Sequence, residues 1–301
     1  MGLFFAARLL EAGQEVWLLD YRPERAGYLS RHGLELLTLA GKKRQYPLQV
    51  AASPGAIGPC DLVLFQVKAH QTEAAARHLP ILLGGGGLAL TLQNGIGNLE
   101  KMAAVAGSER LLAGVAMLGV TRLDEGRIRH AGQGPIVLGI PPGSQVAARE
   151  VAAIVKVFVQ AGLDCRSDPE IMSVLWKKLL INVGINPVTA LTRLPNGQLQ
   201  AVPAAWRVVT AAVQEAFEVA TALNLILPPD PIALVGQVCQ ATAANRSSML
   251  QDILAGRPTE IDAINGQIVN HGQRLQFPTP VNAALTDLVK GLEKGSAGGE
   301  R

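Results

Sequence analysis

A doubly wound α/β sheet followed by an all-helical domain is the fold that this 301-residue sequence predicts. Three observations carry the prediction. Short apolar runs alternate with helical patterns up to about residue 167, turn signals punctuate them, and strand signals vanish after Asp168-Pro169. The chain length itself suggests about two domains.

The elements follow in order. Leu3 to Leu10 reads as an amphipathic helix that ends at Gly13, and Glu15 to Asp20 (EVWLLD) as the strand after it. Residues 33 to 53 look like a strand pair. Asp61 to Lys68 (DLVLFQVK) and Leu88 to Gln93 (LALTLQ) are continuous apolar runs of the kind that suits parallel strands buried on both faces, with Gln71 to Leu83 and Asn98 to Ala106 as the intervening helices. Residues 111 to 140 hold two or three further strands, with turns at Asp124-Glu125-Gly126 and Gln133-Gly134-Pro135, after which Ser144 caps a helix to about Ala161. Helical patterning then continues, broken at Pro195-Asn196-Gly197, Pro228 to Pro231, Gly256 to Pro258 and Pro278 to Pro280. The predicted organisation is a dinucleotide-binding domain over 1–167, a helical substrate and catalytic domain over 168–294, and a disordered tail over 295–301.

Composition narrows the function classes. A hydrophobic content of 49% is ample for a sizeable core, and 27 basic against 24 acidic residues give a formal charge of +3. The charges are scattered without a basic run, so nucleic acid is not suggested as a partner. Cys60, Cys165 and Cys239 are odd in number, far apart and in no CxxC, which argues for reduced thiols in a cytoplasmic setting and against a metal site. No apolar run approaches the roughly 18 residues of a membrane span.

The start is unusual for such a sheet. Gly2 opens the first helix and Asp20 ends the next strand, the relation expected of the last glycine in G-x-G-x-x-G and the group that meets the adenine ribose. The preceding strand and the first two glycines, about ten residues that bring backbone N–H groups to the pyrophosphate, are expected and missing.

The richest stretch is WKKLLINVGINP, from Trp176 to Pro187. Wound at 100° per residue, it puts Lys178, Asn182 and Asn186 within one stripe of about 80°, while Leu179, Leu180, Ile181, Val183 and Ile185 cover the other directions. A buried ammonium and two amides are costly unless partnered, so either a polar ligand or an internal network with a snorkelling lysine must satisfy them. Pro187 predicts that the stripe ends at a helix terminus or kink.

The segments QVKAHQT (66–72), LQNGIG (92–97), LWKKLLINVGINPVTALTRLPNGQL (175–199) and SSMLQDILAGRPTEIDAINGQIV (247–269) resemble the ketopantoate reductase family, in family order over nearly the whole chain. The resemblance implies a Rossmann domain joined to a helical domain, and NADPH-dependent reduction of ketopantoate in pantothenate biosynthesis. It implies Lys178 and Glu260 as catalytic residues, Asn182, Asn186, Asn196 and Ser248 as substrate contacts, and Lys68 and Asn94 beside the cofactor. Read locally, Glu260 lies inside a T-x-x-D capping box formed by Thr259 and Asp262, Ser248 and Gln251 have capping-box spacing, Asn94 begins an Asn-Gly turn, and Lys68 suits a solvated loop.

The residue types fit the chemistry. Hydride delivery to a ketone develops charge on its oxygen, which a Lys178 ammonium can stabilise and protonate, while amides and a hydroxyl supply directional donors to a carboxylate. Cofactor choice is a conflict between Asp20, which suits NADH, and Arg22 and Arg25, which suit the 2′-phosphate of NADPH; the resemblance favours NADPH, with NAD as runner-up. The expected partner is a small keto acid, without nucleic acid or membrane, and a homodimer is the oligomer considered. The alternatives are a related reductase of another 2-oxo acid, or a truncated, catalytically silent ligand-binding protein.

Overall fold

A computed structural model describes residues 1–297. They form two compact units: Met1–Val67, Gln71–Gln93 and Leu99–Ile171 make the first, and Lys68–His70, Asn94–Asn98 and the chain from Met172 make the second.

The first unit runs α1 (Gly2–Glu11), β1 (Trp17–Leu19), α2 (Pro23–His32), β2 (Leu34–Leu37), β3 (Lys43–Tyr46), β4 (Gln49–Ala51), β5 (Leu62–Phe65), α3 (Thr72–Ala76), α4 (Leu79–Leu83), β6 (Leu88–Thr91), α5 (Asn98–Ala106), β7 (Leu111–Ala116), β8 (Gly119–Arg122), β9 (Arg127–Gly132), β10 (Ile136–Gly139), α6 (Ala148–Gln160) and β11 (Cys165–Ser167). Its largest sheet has the order β11-β10-β7-β6-β5, parallel from β5 to β7, with β10 antiparallel to β7. Successive side chains on β6 and β7 enter different cores. Leu90 and Leu112 pack with Phe4, Phe5 and Phe158, whereas Ala89 and Leu111 pack with Phe65, Leu79 and Met102. Helices thus cover both faces, which is why these strands read as unbroken apolar runs.

A separate two-stranded sheet pairs β1 with β4, and a four-stranded sheet has the order β3-β2-β9-β8. The strand pair expected in 33–53 is therefore three strands in two sheets, and 111–140 holds four strands. Gln71 to Leu83 is broken into α3 and α4, since Pro80 cannot donate to a preceding turn and begins a new helix instead. Ser144 does not cap α6. Its Oγ accepts from Val146 N–H at 3.3 Å, and the helix starts after Ala147, whose N–H meets Glu150 Oε2 at 2.8 Å.

The second unit is helical: α7 (Ile171–Thr192), α8 (Gln198–Ala201), α9 (Pro203–Ala222), α10 (Pro231–Ala241), α11 (Ser248–Leu254), α12 (Asn265–Leu275) and α13 (Pro280–Ala297). Proline opens α9 and α10, where its missing N–H is no loss, and Asp230 caps α10 by accepting from Ala233 N–H at 2.8 Å. Of the terminus or kink expected at Pro187, the terminus is not found, since α7 continues to Thr192. The final helix reaches Ala297, so residues 295–297 of the expected disordered tail are helical, and 298–301 lie outside the described residues. No helix among the described residues is long and apolar enough to cross a membrane.

Helix α7 is the axis of this unit. Leu179, Leu180, Val183 and Val188 are buried against Val209, Ala212, Val213 and Ala216 of α9. Gly184 permits the approach: a Cβ there would lie 2.7 Å from Val213 Cγ2 and 3.0 Å from Val209 Cγ1. Gly184→Ala should therefore destabilise the protein by about 1–3 kcal/mol through overpacking, despite alanine's better helix propensity. Chemical denaturation checks this, and a neutral or stabilising effect would show that α9 yields freely.

Candidate active site

Lys178 lies on a helix whose other directions are packed with aliphatic side chains, and burial sets its chemistry. Desolvation pushes the ammonium down from the ordinary lysine value to about 8, while the Glu260 carboxylate acts on it in the opposite direction. Asn182 and Asn186 stand one and two turns further along the same stripe. Asn186 is 6% exposed and Asn182 half-buried, yet neither side-chain amide has a hydrogen-bond partner among the described residues. The internal network that would have made them merely structural is absent there. The nearby polar groups bond otherwise: Thr189 Oγ1 donates to the main-chain carbonyls of Ile185 (2.8 Å) and Asn186 (3.0 Å) and lies 2.7 Å from Ser247 Oγ.

Glu260 is 6% exposed and saturated with donors. Its Oε1 accepts from Ala69 N–H at 3.2 Å, and its Oε2 accepts from Asn94 Nδ2 at 3.1 Å and lies 3.5 Å from Lys68 Nζ. The local reading of Glu260 as part of a capping box does not hold. No T-x-x-D capping box forms, because 261–263 is a single 3₁₀ turn, Thr259 Oγ1 accepts from Ile261 N–H at 3.2 Å, and Asp262 pairs with Lys290 at 2.6 Å.

Asn94 is held in place by the glycine after it. Gly95 has φ +77°, and a Cβ there would lie 2.2 Å from Ala263 O, so only glycine allows the turn to press against the segment that carries Glu260. Ile96 N–H donates to the same carbonyl at 3.0 Å.

Lys68 is not a solvated loop lysine. Its Nζ is 2.6 Å from Asp252 Oδ2, and although burial favours the neutral amine, Glu260 and Asp252 outweigh it and hold the ammonium above its ordinary value. Asp252, 4% exposed, also accepts from Arg257 Nε at 3.1 Å. Neither Asp252 nor Arg257 was singled out from sequence. A signal existed: in SMLQDIL the acid falls among Met249, Leu250 and Ile253, all buried, so it had to be paired.

The remaining expected contacts differ among themselves. Ser248 is the exposed first residue of α11; the cap is Ser247, whose Oγ accepts from Leu250 N–H at 3.1 Å, and Gln251 bonds the Arg246 carbonyl, so no Ser248–Gln251 box exists. Asn196 belongs to another cluster, where its Nδ2 donates to Thr242 Oγ1 at 2.9 Å and its backbone N–H to Asn245 O at 3.0 Å.

In the first unit, Asp20 is 8% exposed and already engaged. Its Oδ1 accepts from Arg22 N–H at 3.1 Å and from Arg22 Nε at 3.4 Å, and its Oδ2 pairs with Arg25, which also meets Glu125 at 2.7 Å. Arg22 remains partly exposed, 5.8 Å from the Tyr21 ring centroid. Gly2 opens α1 with ordinary contact, its Cβ position 3.6 Å from Gln66 Cβ, and Gln66 Nε2 is a buried donor without a partner among the described residues.

Comparison with known proteins places these features in a family. The family description "Ketopantoate reductase PanE/ApbA" matches residues 1–143, and "Ketopantoate reductase PanE/ApbA C terminal" matches 170–293. The 2-dehydropantoate 2-reductase of Halobacterium salinarum is 34% identical over 275 residues, 91% of this chain and 90% of the relative. That of Vibrio cholerae is 37% identical over 235 residues, 78% of each chain. Among solved structures, the PanE/ApbA family ketopantoate reductase from Ralstonia eutropha superposes with a TM-score of 0.88 at 30% identity, covering 97% of this chain and 94% of that one. A D-mandelate dehydrogenase in complex with NADH and anilino(oxo)acetate gives 0.90 at 25% identity, covering 98% and 95%. With both halves matched in order and relatives above 30% identity along most of its length, the chain belongs to the ketopantoate reductase family.

Proposed function

We propose that this protein reduces 2-dehydropantoate (ketopantoate) to pantoate, the activity for which its curated relatives are named, and that it does so with NADPH. The observation that carries the reading is the polar stripe of α7: a desolvated ammonium followed by two amides without protein partners among the described residues, on a helix whose Leu179, Leu180, Val183 and Ile185 are buried in the core. Lys178 is the general acid, Glu260 the carboxylate that orients it, and Asn182, Asn186 and Ser248 donate to the substrate. Asn196, with one amide hydrogen bond to Thr242 and a buried unpartnered Oδ1, supports the shape of the neighbouring turn.

The residues of the first unit fit a nicotinamide dinucleotide. Gln66 Nε2 is an unsatisfied donor beside the start of α1, where acceptor-rich groups such as phosphates are favoured. Both oxygens of Asp20 are taken by arginines, leaving it poorly placed to accept from a ribose hydroxyl, while Arg22 retains exposed donors for a 2′-phosphate. When bound, a reduced nicotinamide would supply the hydride. Lys178 stabilises the charge that develops on the keto oxygen and gives it a proton, in surroundings whose low polarity strengthens the interaction. Lys68 and Asn94 tie down Glu260.

One observation favours a second reading. The structural match to a D-mandelate dehydrogenase bound to NADH supports a reductase of another 2-oxo acid that uses NADH. Steady-state assays with ketopantoate and with phenylglyoxylate, each with NADPH and NADH, separate the two. Arg22→Ala should raise KM for NADPH about tenfold and leave that for NADH nearly unchanged; equal effects would return the choice to Asp20.

Lys178→Ala should lower kcat by roughly 10²-fold or more, whereas Lys177→Ala, about 100° away on the helix, should change it little. Because the folded value of Lys178 lies below that of the unfolded chain, unfolding takes up a proton between about 8 and the ordinary lysine range, and the buried ammonium lowers stability at neutral pH. Lys178→Met should therefore keep or raise the melting temperature at pH 7 while losing activity. A large fall in melting temperature with kcat preserved would make it a structural lysine.

The pH profile carries the same sign. Reduction needs the ammonium, so kcat/KM should be level below about 8 and fall above it, and pantoate oxidation, which needs the neutral amine, should rise through the same region. A profile flat to pH 10 would exclude Lys178 as the proton donor. Asn182→Ala and Asn186→Ala should raise KM for the keto acid more than for the cofactor, with folding stability changed by no more than about 1 kcal/mol, because no protein hydrogen bond is lost.

A further inference from the structure

Pro187 removes a hydrogen bond from the middle of α7. Having no N–H, it leaves the carbonyl of Val183 without the donor that residue 187 would supply in a regular helix, yet the helix continues. The missing donor comes from Asn265. Its Nδ2 donates to Val183 O at 3.0 Å and to Asn282 Oδ1 at 2.9 Å, and Asn265 is completely buried at the start of α12.

The orientation of this amide is determined. Asn282 Nδ2 donates to Ala212 O at 3.0 Å and to Glu215 Oε2 at 2.7 Å, so Asn282 Oδ1 must be an acceptor, as Val183 O is. Facing two acceptors, Asn265 presents Nδ2 to both, and its Oδ1 is left buried without a partner among the described residues. Such an acceptor costs stability, and an apolar residue at 265 would avoid that cost. What the amide secures is local: Val183 lies in the turn that separates Asn182 from Asn186.

We infer that Asn265 is a positioning residue for the keto-acid-binding amides, substituting for the N–H that Pro187 lacks and so keeping Asn182 and Asn186 one helical turn apart on a single face. The inference rests on the reading of that stripe as a substrate surface. The proline and the asparagine form a matched pair, and either substitution has a meaning only in the light of the other.

The test is a pair of variants and their combination. Asn265→Ala should raise KM for ketopantoate about tenfold, with KM for NADPH within about twofold of the parent, since small misplacements of binding groups are costly. Pro187→Ala, which restores an N–H at 187, should leave activity near the parental level, and Asn265→Ala combined with Pro187→Ala should recover most of the lost affinity. Asn265→Leu, close to the amide in shape and without a donor, repeats the comparison in both backgrounds without opening a large cavity. Hydrogen exchange of the amides in 183–192 provides a readout that needs no substrate: it should accelerate in Asn265→Ala and return toward the parental rate in the double variant. Effects that simply multiply, with no recovery in KM or exchange, would overturn the inference. If exchange and its recovery follow as stated but the parent does not turn over ketopantoate, the positioning role stands and the functional reading fails.

Discussion

The rest of the second unit depends on one costly arrangement, an ammonium placed on the packed helix α7 within the field of a buried carboxylate. Lys178 is drawn toward the neutral form by desolvation and back toward the charged form by Glu260. Neither influence removes the other, so the group is held at about 8, a value that suits the proton-donor role proposed for it. A helix packed only for stability would hold an aliphatic residue at this position.

Glu260 exerts its influence because it is immobilised. Its two oxygens are held by a main-chain N–H, an amide and a lysine, and the two side chains are fixed in turn: Asn94 by the left-handed Gly95 pressed on Ala263, and Lys68 by Asp252, which Arg257 also engages. The arrangement reads as a chain of supports that runs from the buried Glu260 and Asp252 through the half-buried Asn94 and Lys68 to the exposed Arg257. The two amides of α7 stand outside this chain of supports. Neither Asn182 nor Asn186 has a side-chain hydrogen bond to the described residues, whereas Asn196 and Asn265, whose Oδ1 atoms are unpartnered, are each bonded through Nδ2.

The sequence showed the strands and the stripe for the same reason: both are periodic. Ala89 and Leu90, or Leu111 and Leu112, are apolar at successive positions because helices cover both faces of the sheet, and Lys178, Asn182 and Asn186 follow one another at single-turn spacing on a helix that continues through Pro187, where Asn265 supplies a donor to the Val183 carbonyl. What depends on contacts far apart in sequence was not legible. Thr259-x-x-Asp262 and Ser248-x-x-Gln251 have the spacing of caps, but Thr259 closes its own short turn, Asp262 turns to Lys290, and Ser247 takes the cap of α11. Spacing cannot distinguish a cap from a residue whose partner lies in another segment. Asn265 and Asp252 passed unnoticed for the same reason, their partners lying 82 residues away at Val183 and 184 away at Lys68.

The most direct test of this account is the titration of Lys178 itself, followed by carbon-13 NMR of its Cε in lysine-labelled protein, with Lys178→Met to assign the resonance. The account predicts a midpoint near 8 in the free protein, and a clear upward movement of that midpoint when pantoate is bound, because the product carboxylate adds negative charge beside the ammonium. A midpoint at or above the ordinary lysine value, unmoved by pantoate, would mean that Lys178 is neither desolvated nor at the site, and the central claim would fall.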